Sequence, residues 1–148
     1  MTIGYTTGVF DLFHVGHLNI LRKARENCDY LIVGVSTDEL VKEYKNKTPI
    51  IPFDERVAIV SAIKYVDRVV PQKTRDKFKA WETYQFDRMF VGDDWKGSEL
   101  FLAVEKKLKE QGVDVIYFPY TTGTSSTILR ETINRININN WISVLEAL

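Results

Sequence analysis

The 148-residue chain carries 20 basic and 20 acidic residues, so its net charge is zero and no global field favours nucleic acid or an anionic membrane surface. At that length a single domain is expected, burying about 70% of the surface its unfolded chain exposes. The one cysteine, Cys28, excludes an internal disulfide and fits a reducing cytoplasm; no apolar run is long enough for a membrane span, and MTIGYTTGVFD lacks the basic and apolar segments of a secretory signal.

In chain order, TIGYTTG (2–8) predicts a strand and HLNILRKAREN (17–27) a helix with Leu18, Leu21 and Ala24 on one face. YLIVGVS (30–36) is a near-continuous apolar run, as in a strand covered on both faces. A short helix begins near Thr37, and the polar loop KEYKNKTPIIP (42–52) follows. FDERVAIVSAIKY (53–65) predicts a helix, with Asp54 and Glu55 at its positive end. Strands are expected at 67–71, 88–92 and 113–119, and helices around 75–85 and 98–111. The second of these helices spaces Leu100, Val104 and Leu108 four apart and stops at Gly112. A last helix starts at the serines of GTSSTILRETINRI. In the tail ININNWISVLEAL, Ile138, Trp141 or Ile142, Leu145 and Leu148 share a helical face, packed on the domain itself or forming a dimer interface. The chain thus divides into a catalytic domain, 1–136, and an amphipathic tail, 137–148.

Alternating strands and helices imply an α/β fold, a Rossmann-like, doubly wound parallel sheet of five strands. Ligands of such sheets lie beyond the carboxyl ends of the strands. There the sequence collects TGVFDLFHVGH, the lysine loop, GDDWKG and YTTGTSST. In the first, Gly16 lets a phosphate approach a helix start, and His14 and His17 stand three residues apart to donate hydrogen bonds to it. Two structural histidines are the plain alternative. A zinc site would need more than these two, which are all the histidines present, with Asp11 as a possible third ligand. Gly123 with Ser125, Ser126 and Thr127 repeats the phosphate pattern before the last helix, and Lys45 and Lys47 add cations. No nucleophile is paired with a base in sequence, and GxxxxGK[ST] is absent. The set therefore points to direct in-line nucleotidyl or phosphoryl transfer.

GVFDLFHVGH resembles the GxFDxxHxGH signature of the cytidylyltransferases, within the HxGH nucleotidyltransferase superfamily. The similarity runs from residue 3 to about 133 and is greatest to bacterial glycerol-3-phosphate cytidylyltransferases. It implies transfer of CMP from CTP to an alcohol phosphate, sn-glycerol 3-phosphate or another acceptor of capsule or cell-surface polymer synthesis, by a cytoplasmic homodimer. Mg2+ would come with CTP, without a protein cage. By the same resemblance Val9, Phe10, His14, Val15, Gly16 and His17 contact CTP, with both histidines catalytic. Lys45 bridges triphosphate and acceptor, Lys47 adds a triphosphate contact, and Arg56 and Lys77 serve the acceptor. Asp94 and Trp95 form the nucleoside pocket, and Tyr120, Thr121, Gly123, Ser125, Ser126 and Thr127 fall on the RTEGIST signature. Tyr120 replaces that signature's arginine, and Lys64 stands where glycerol-3-phosphate enzymes often carry arginine. SSTILR also resembles the ISSTxxR element of adenylyltransferases, which puts Arg130 where it would restore the charge. An adenylyltransferase, or an inactive binding module on the same scaffold, are the competing readings.

Overall fold

The computed structural model describes residues 1–92, 96–119 and 125–135. Five strands, β1 (Ile3–Gly8), β2 (Tyr30–Ser36), β3 (Arg68–Gln72), β4 (Arg88–Gly92) and β5 (Asp114–Phe118), form one parallel sheet in the order β3-β2-β1-β4-β5. Six helices accompany them among the described residues: α1 (Val15–Glu26), α2 (Asp38–Lys45), α3 (Phe53–Ser61), α4 (Lys77–Tyr84), α5 (Glu99–Glu110) and α6 (Ser126–Arg135). Each expected strand and helix within the described residues is present. The Rossmann-like α/β reading therefore holds.

The apolar alternation of β2 feeds two cores. Leu31, Val33 and Val35 pack with Leu21 and Ala24 of α1 and Val60 of α3. Ile32 joins Phe101 and Leu108 of α5 on the other face, beneath a stack of Tyr5 on Phe86. Helices thus cover both faces, and the strand order reverses at β1 and β4, where a crevice opens at the carboxyl ends.

Three boundaries differ from the sequence reading. The lysine loop starts late: α2 runs on to Lys45 and stops at Asn46, whose left-handed backbone (φ 53°) lets its N–H bond the Lys42 carbonyl. α3 ends at Ser61 rather than near Tyr65. In α5 the buried stripe is Phe101, Val104 and Leu108, while Leu100 is 73% exposed. A strict four-residue spacing drifts round the helix, so Leu100 and Leu108 lie about 80° apart. Gly112 (φ 80°) closes α5, with its own N–H on the Lys109 carbonyl and that of Val113 on Leu108.

Candidate active site

The loop between β1 and α1 is tightly determined. Gly8 is required because a Cβ there would meet the Phe10 ring at 2.9 Å. Phe10 and Leu12 both hold left-handed backbone (φ 55° and 50°), a strained state for such side chains. The buried Phe10 packs edge-on against the His17 ring at 5.4 Å. His14 is the N-cap of α1, its Nδ1 accepting the Gly16 N–H at 3.0 Å. His17 returns the arrangement: its Nδ1 accepts the His14 N–H at 3.2 Å. The two rings lie 3.9 Å apart. An Nδ1 that accepts an N–H bond carries no proton, so each neutral imidazole is protonated at Nε2 and can donate from it. Burial lowers the pKa of His14, and burial followed by the neighbouring His14 lowers that of His17 to about 4. Both rings are therefore neutral donors near pH 7. The Gly16 N–H, expected to face a phosphate, is already taken by His14, whereas Val15 is half exposed.

Asp11, in the same loop, is 2% exposed and accepts the N–H groups of Ile50 and Ile51, both at 2.8 Å, besides pairing with Arg130. Burial works to raise its pKa, but the Ile51 and Ile50 donors and the Arg130 guanidinium prevail and hold it below the usual carboxylate value. Its carbonyl accepts the Ser126 hydroxyl at 2.6 Å. Ser125 caps α6, accepting the Ile128 N–H at 3.1 Å, and Thr127 is exposed. One aspartate thus ties the histidine loop to the lysine loop and to α6. Arg130, expected to supply charge to a nucleotide, is instead bound to Asp11, and its buried Nε has no partner among the described residues.

A cavity of about 660 Å³ covers the carboxyl ends of β1, β2, β3 and β4, reaching Gly8, Ser36, Gln72 and Gly92. Val9, Lys45 and Lys77 line it, and the histidine loop leaves its floor at Gly8. Lys77 opens α4 and donates from Nζ to Thr7 Oγ1 at 2.7 Å. Burial, then Arg75, lowers its pKa to about 8. The exposed side chain of Lys45 is also lowered, by partial desolvation and then by Arg130, Lys47 and Arg75. Lys47 is exposed and does not line the cavity.

A model of cytidylyltransferase-like proteins matches residues 5–132. The chain belongs to the cytidylyltransferase-like family. It is 38% identical over 129 residues to the glycerol-3-phosphate cytidylyltransferase of Bacillus subtilis (strain 168), covering 86% of this chain and 94% of the relative. The Staphylococcus aureus (strain NCTC 8325 / PS 47) protein of the same description is 37% identical, with 85% and 90% covered. Among solved structures, the lipopolysaccharide core biosynthesis protein from Thermoplasma volcanium GSS1 superposes with a TM-score of 0.68 at 29% identity, covering 84% of this chain and 99% of that one.

In this family member one expected acceptor contact is placed elsewhere. Arg56 is completely buried: Nε donates to the Ile51 carbonyl, one terminal nitrogen to the carbonyls of Val9 and Ser36, and the other to Asp38 Oδ1 at 2.6 Å. Its guanidinium is a strut inside the wall, not a surface an acceptor can meet. Asp94, Trp95, Tyr120, Thr121 and Gly123 lie outside the described residues. Sequence reasoning missed the strut of Asp38 and Arg56, the junction at Asp11, and Thr7 and Arg75 on the cavity. Only Thr7 left a trace, a hydroxyl immediately before the strand-end glycine.

Proposed function

We propose that the chain transfers the cytidylyl group of CTP to the phosphate of sn-glycerol 3-phosphate, forming CDP-glycerol and pyrophosphate. The observation that carries this reading is the pair of neutral Nε2–H donors built by the start of α1 in a cytidylyltransferase-like fold. An acceptor phosphate oxygen attacks the α-phosphorus in line; its new bond to phosphorus replaces the bond to the bridging oxygen of the leaving pyrophosphate. A phosphate monoester is already largely dianionic at neutral pH, so the attack needs no general base. Catalysis is then positioning plus stabilisation of charge. His14 and His17 donate to the phosphate oxygens on which charge builds, Lys45 bridges the triphosphate and acceptor, and Lys77 binds the acceptor. Lys47 is a further triphosphate contact. Val9, Phe10, Val15 and Gly16 border the nucleotide, while Asp94, Trp95, Tyr120, Thr121, Gly123, Ser125, Ser126 and Thr127 serve its nucleoside and phosphates.

Mg2+ would accompany CTP and offset the charge of its phosphates. Among the described residues no three His, Cys, Asp or Glu side chains converge, and Asp11 already takes several donors, so triphosphate oxygens would hold the ion. No helix among the described residues is long and apolar enough to cross a membrane. We propose that the chain acts as a homodimer, with residues 137–148 as an amphipathic tail that packs on its own domain or forms the interface; truncation after Ile136 separates the two, because unchanged dimerisation in size-exclusion chromatography removes the interface role.

The direct test is pyrophosphate release with CTP or ATP against a panel of phosphorylated alcohols. CTP with glycerol 3-phosphate should give the highest kcat/KM. Turnover with ATP alone, or none with any alcohol phosphate, overturns the assignment.

A further inference from the structure

Lys77 joins two walls of the cavity. It is the first residue of α4, and its Nζ donates at 2.7 Å to Oγ1 of Thr7, near the end of β1; both residues line the cavity. Among the described residues this is the one hydrogen bond of that ammonium, and no carboxylate pairs with it. The adjacent Asp76 caps α4 instead, through the N–H groups of Phe78 and Lys79. An ammonium carries further N–H donors, which stay available to an oxyanion in the cavity.

The sheet sets where the Thr7 hydroxyl points. Side chains alternate along β1, so Tyr5 and Thr7 share one face and Thr6 takes the other. Thr6 spends its hydroxyl inside the sheet, on the Phe90 carbonyl at 3.0 Å. Thr7 stands in register with Gly34 of β2, and a Cβ at Gly34 would meet Thr7 Cγ2 at 3.0 Å and the Tyr5 hydroxyl at 2.8 Å. The Thr7 methyl therefore fills the space that Gly34 leaves open. A β-branched side chain seated in this way has a fixed χ1, and its oxygen is turned to Lys77. A long lysine side chain loses rotamer freedom when it closes on an anion, and Thr7 removes part of that freedom beforehand. Thr7 also directly precedes Gly8, where the histidine loop leaves the strand, so the ammonium is held at the strand end from which that loop departs.

We propose that Thr7 is a positioning residue for the transfer reaction, presetting Lys77 to receive the phosphate of the incoming phosphomonoester. This rests on the functional reading above, in which Lys77 binds the acceptor.

The test is steady-state kinetics with CTP and glycerol 3-phosphate each varied. Thr7→Val keeps the branched shape and removes the hydroxyl. It should raise the acceptor KM about fivefold, the scale for immobilising one long side chain on binding, with kcat and the KM for CTP changed less than about twofold. Thr7→Ser restores the hydroxyl without the seated methyl and should recover part of the loss. Lys77→Gln should raise the same constant by about tenfold or more, and adding Thr7→Val to it should change that value by less than about twofold, because Thr7 acts through the lysine. An unchanged acceptor KM in Thr7→Val, equal increases for both substrates, no recovery in Thr7→Ser, or a further loss in the double variant would each overturn the assignment. An unchanged acceptor KM in Lys77→Gln would instead remove the acceptor contact of the functional reading, and absence of turnover in the unaltered protein would remove that reading as a whole; the inference falls with either.

Discussion

His14 and His17 are one device, because each ring satisfies a backbone donor that helix formation leaves over. That double use has a measurable pH signature. Folded His17 takes up its proton only near pH 4, against 6.5 for an ordinary histidine. Between those values the unfolded chain binds the extra proton, so acid favours unfolding there. The stability gained from a neutral His17 is complete above pH 6.5 and lost toward pH 4, a change of about 3 kcal/mol. Asp11, held below the usual carboxylate value of 3.8, titrates beneath this window. Denaturant unfolding at pH 7, 6, 5 and 4.5 should show the slope, and His17→Gln should flatten it because glutamine keeps a capping acceptor without titrating. A residual slope from His14, also lowered, should persist. His17→Ala should reduce kcat by about two to three orders of magnitude, the usual scale for deleting one transition-state donor.

At the scale of elements, Arg56 is a cation at the centre of three junctions. It links Ile51, two residues before α3, Val9, immediately after β1, and the last residue of β2 (Ser36), with Asp38 of α2 compensating its charge. Lysine has neither the Nε–H nor the planar fork. Arg56→Lys should therefore cost about 2–4 kcal/mol of stability, read as a lower denaturant midpoint, rather than act first on the acceptor KM. Nothing in FDERVAIVSAIKY announces that role. An arginine in the first turn of a helix beside two acids reads as surface, and its partners are carbonyls distant in sequence. Strands and helices were legible because apolar period and burial share one cause, as the almost wholly buried β2 illustrates. Side-chain-to-backbone struts leave no period. The misassigned face of α5 has a simpler origin: Leu100 and Phe101 are adjacent and both apolar, so pattern alone does not choose between them. Of the site, the histidine junction, Lys45 and Lys77 were readable from motif and resemblance, whereas Asp11 was weighed only as a metal ligand and Arg75 left no motif.

For the molecule as a whole, zero net charge coexists with a local concentration of Lys45, Lys47, Arg75, Lys77 and Arg130 at one rim of the sheet. Positive charge is thus a property of the crevice rather than of the whole surface. Asp11 is the internal counter-charge that lets this rim assemble, and its loss should be felt in several places together. Asp11→Asn offers fewer acceptors to Ile50, Ile51 and Arg130 and should cost about 2–4 kcal/mol. In a double-mutant cycle with Arg130→Gln, the combined loss should fall short of the sum by about 1 kcal/mol or more. Additive losses would mean that the pair is incidental.

The same carboxylate sets an order in time. Its partners lie 39, 40 and 119 residues further along the chain, and the serine that grips its carbonyl lies 115 further on. A ribosome delivers the histidines early, but the loop that bears them is not fastened until α6 has been made and released. A nascent chain can begin its sheet before that moment. Activity should nonetheless switch on only after α6 has left the exit tunnel, so that no half-made copy draws on the nucleotide supply.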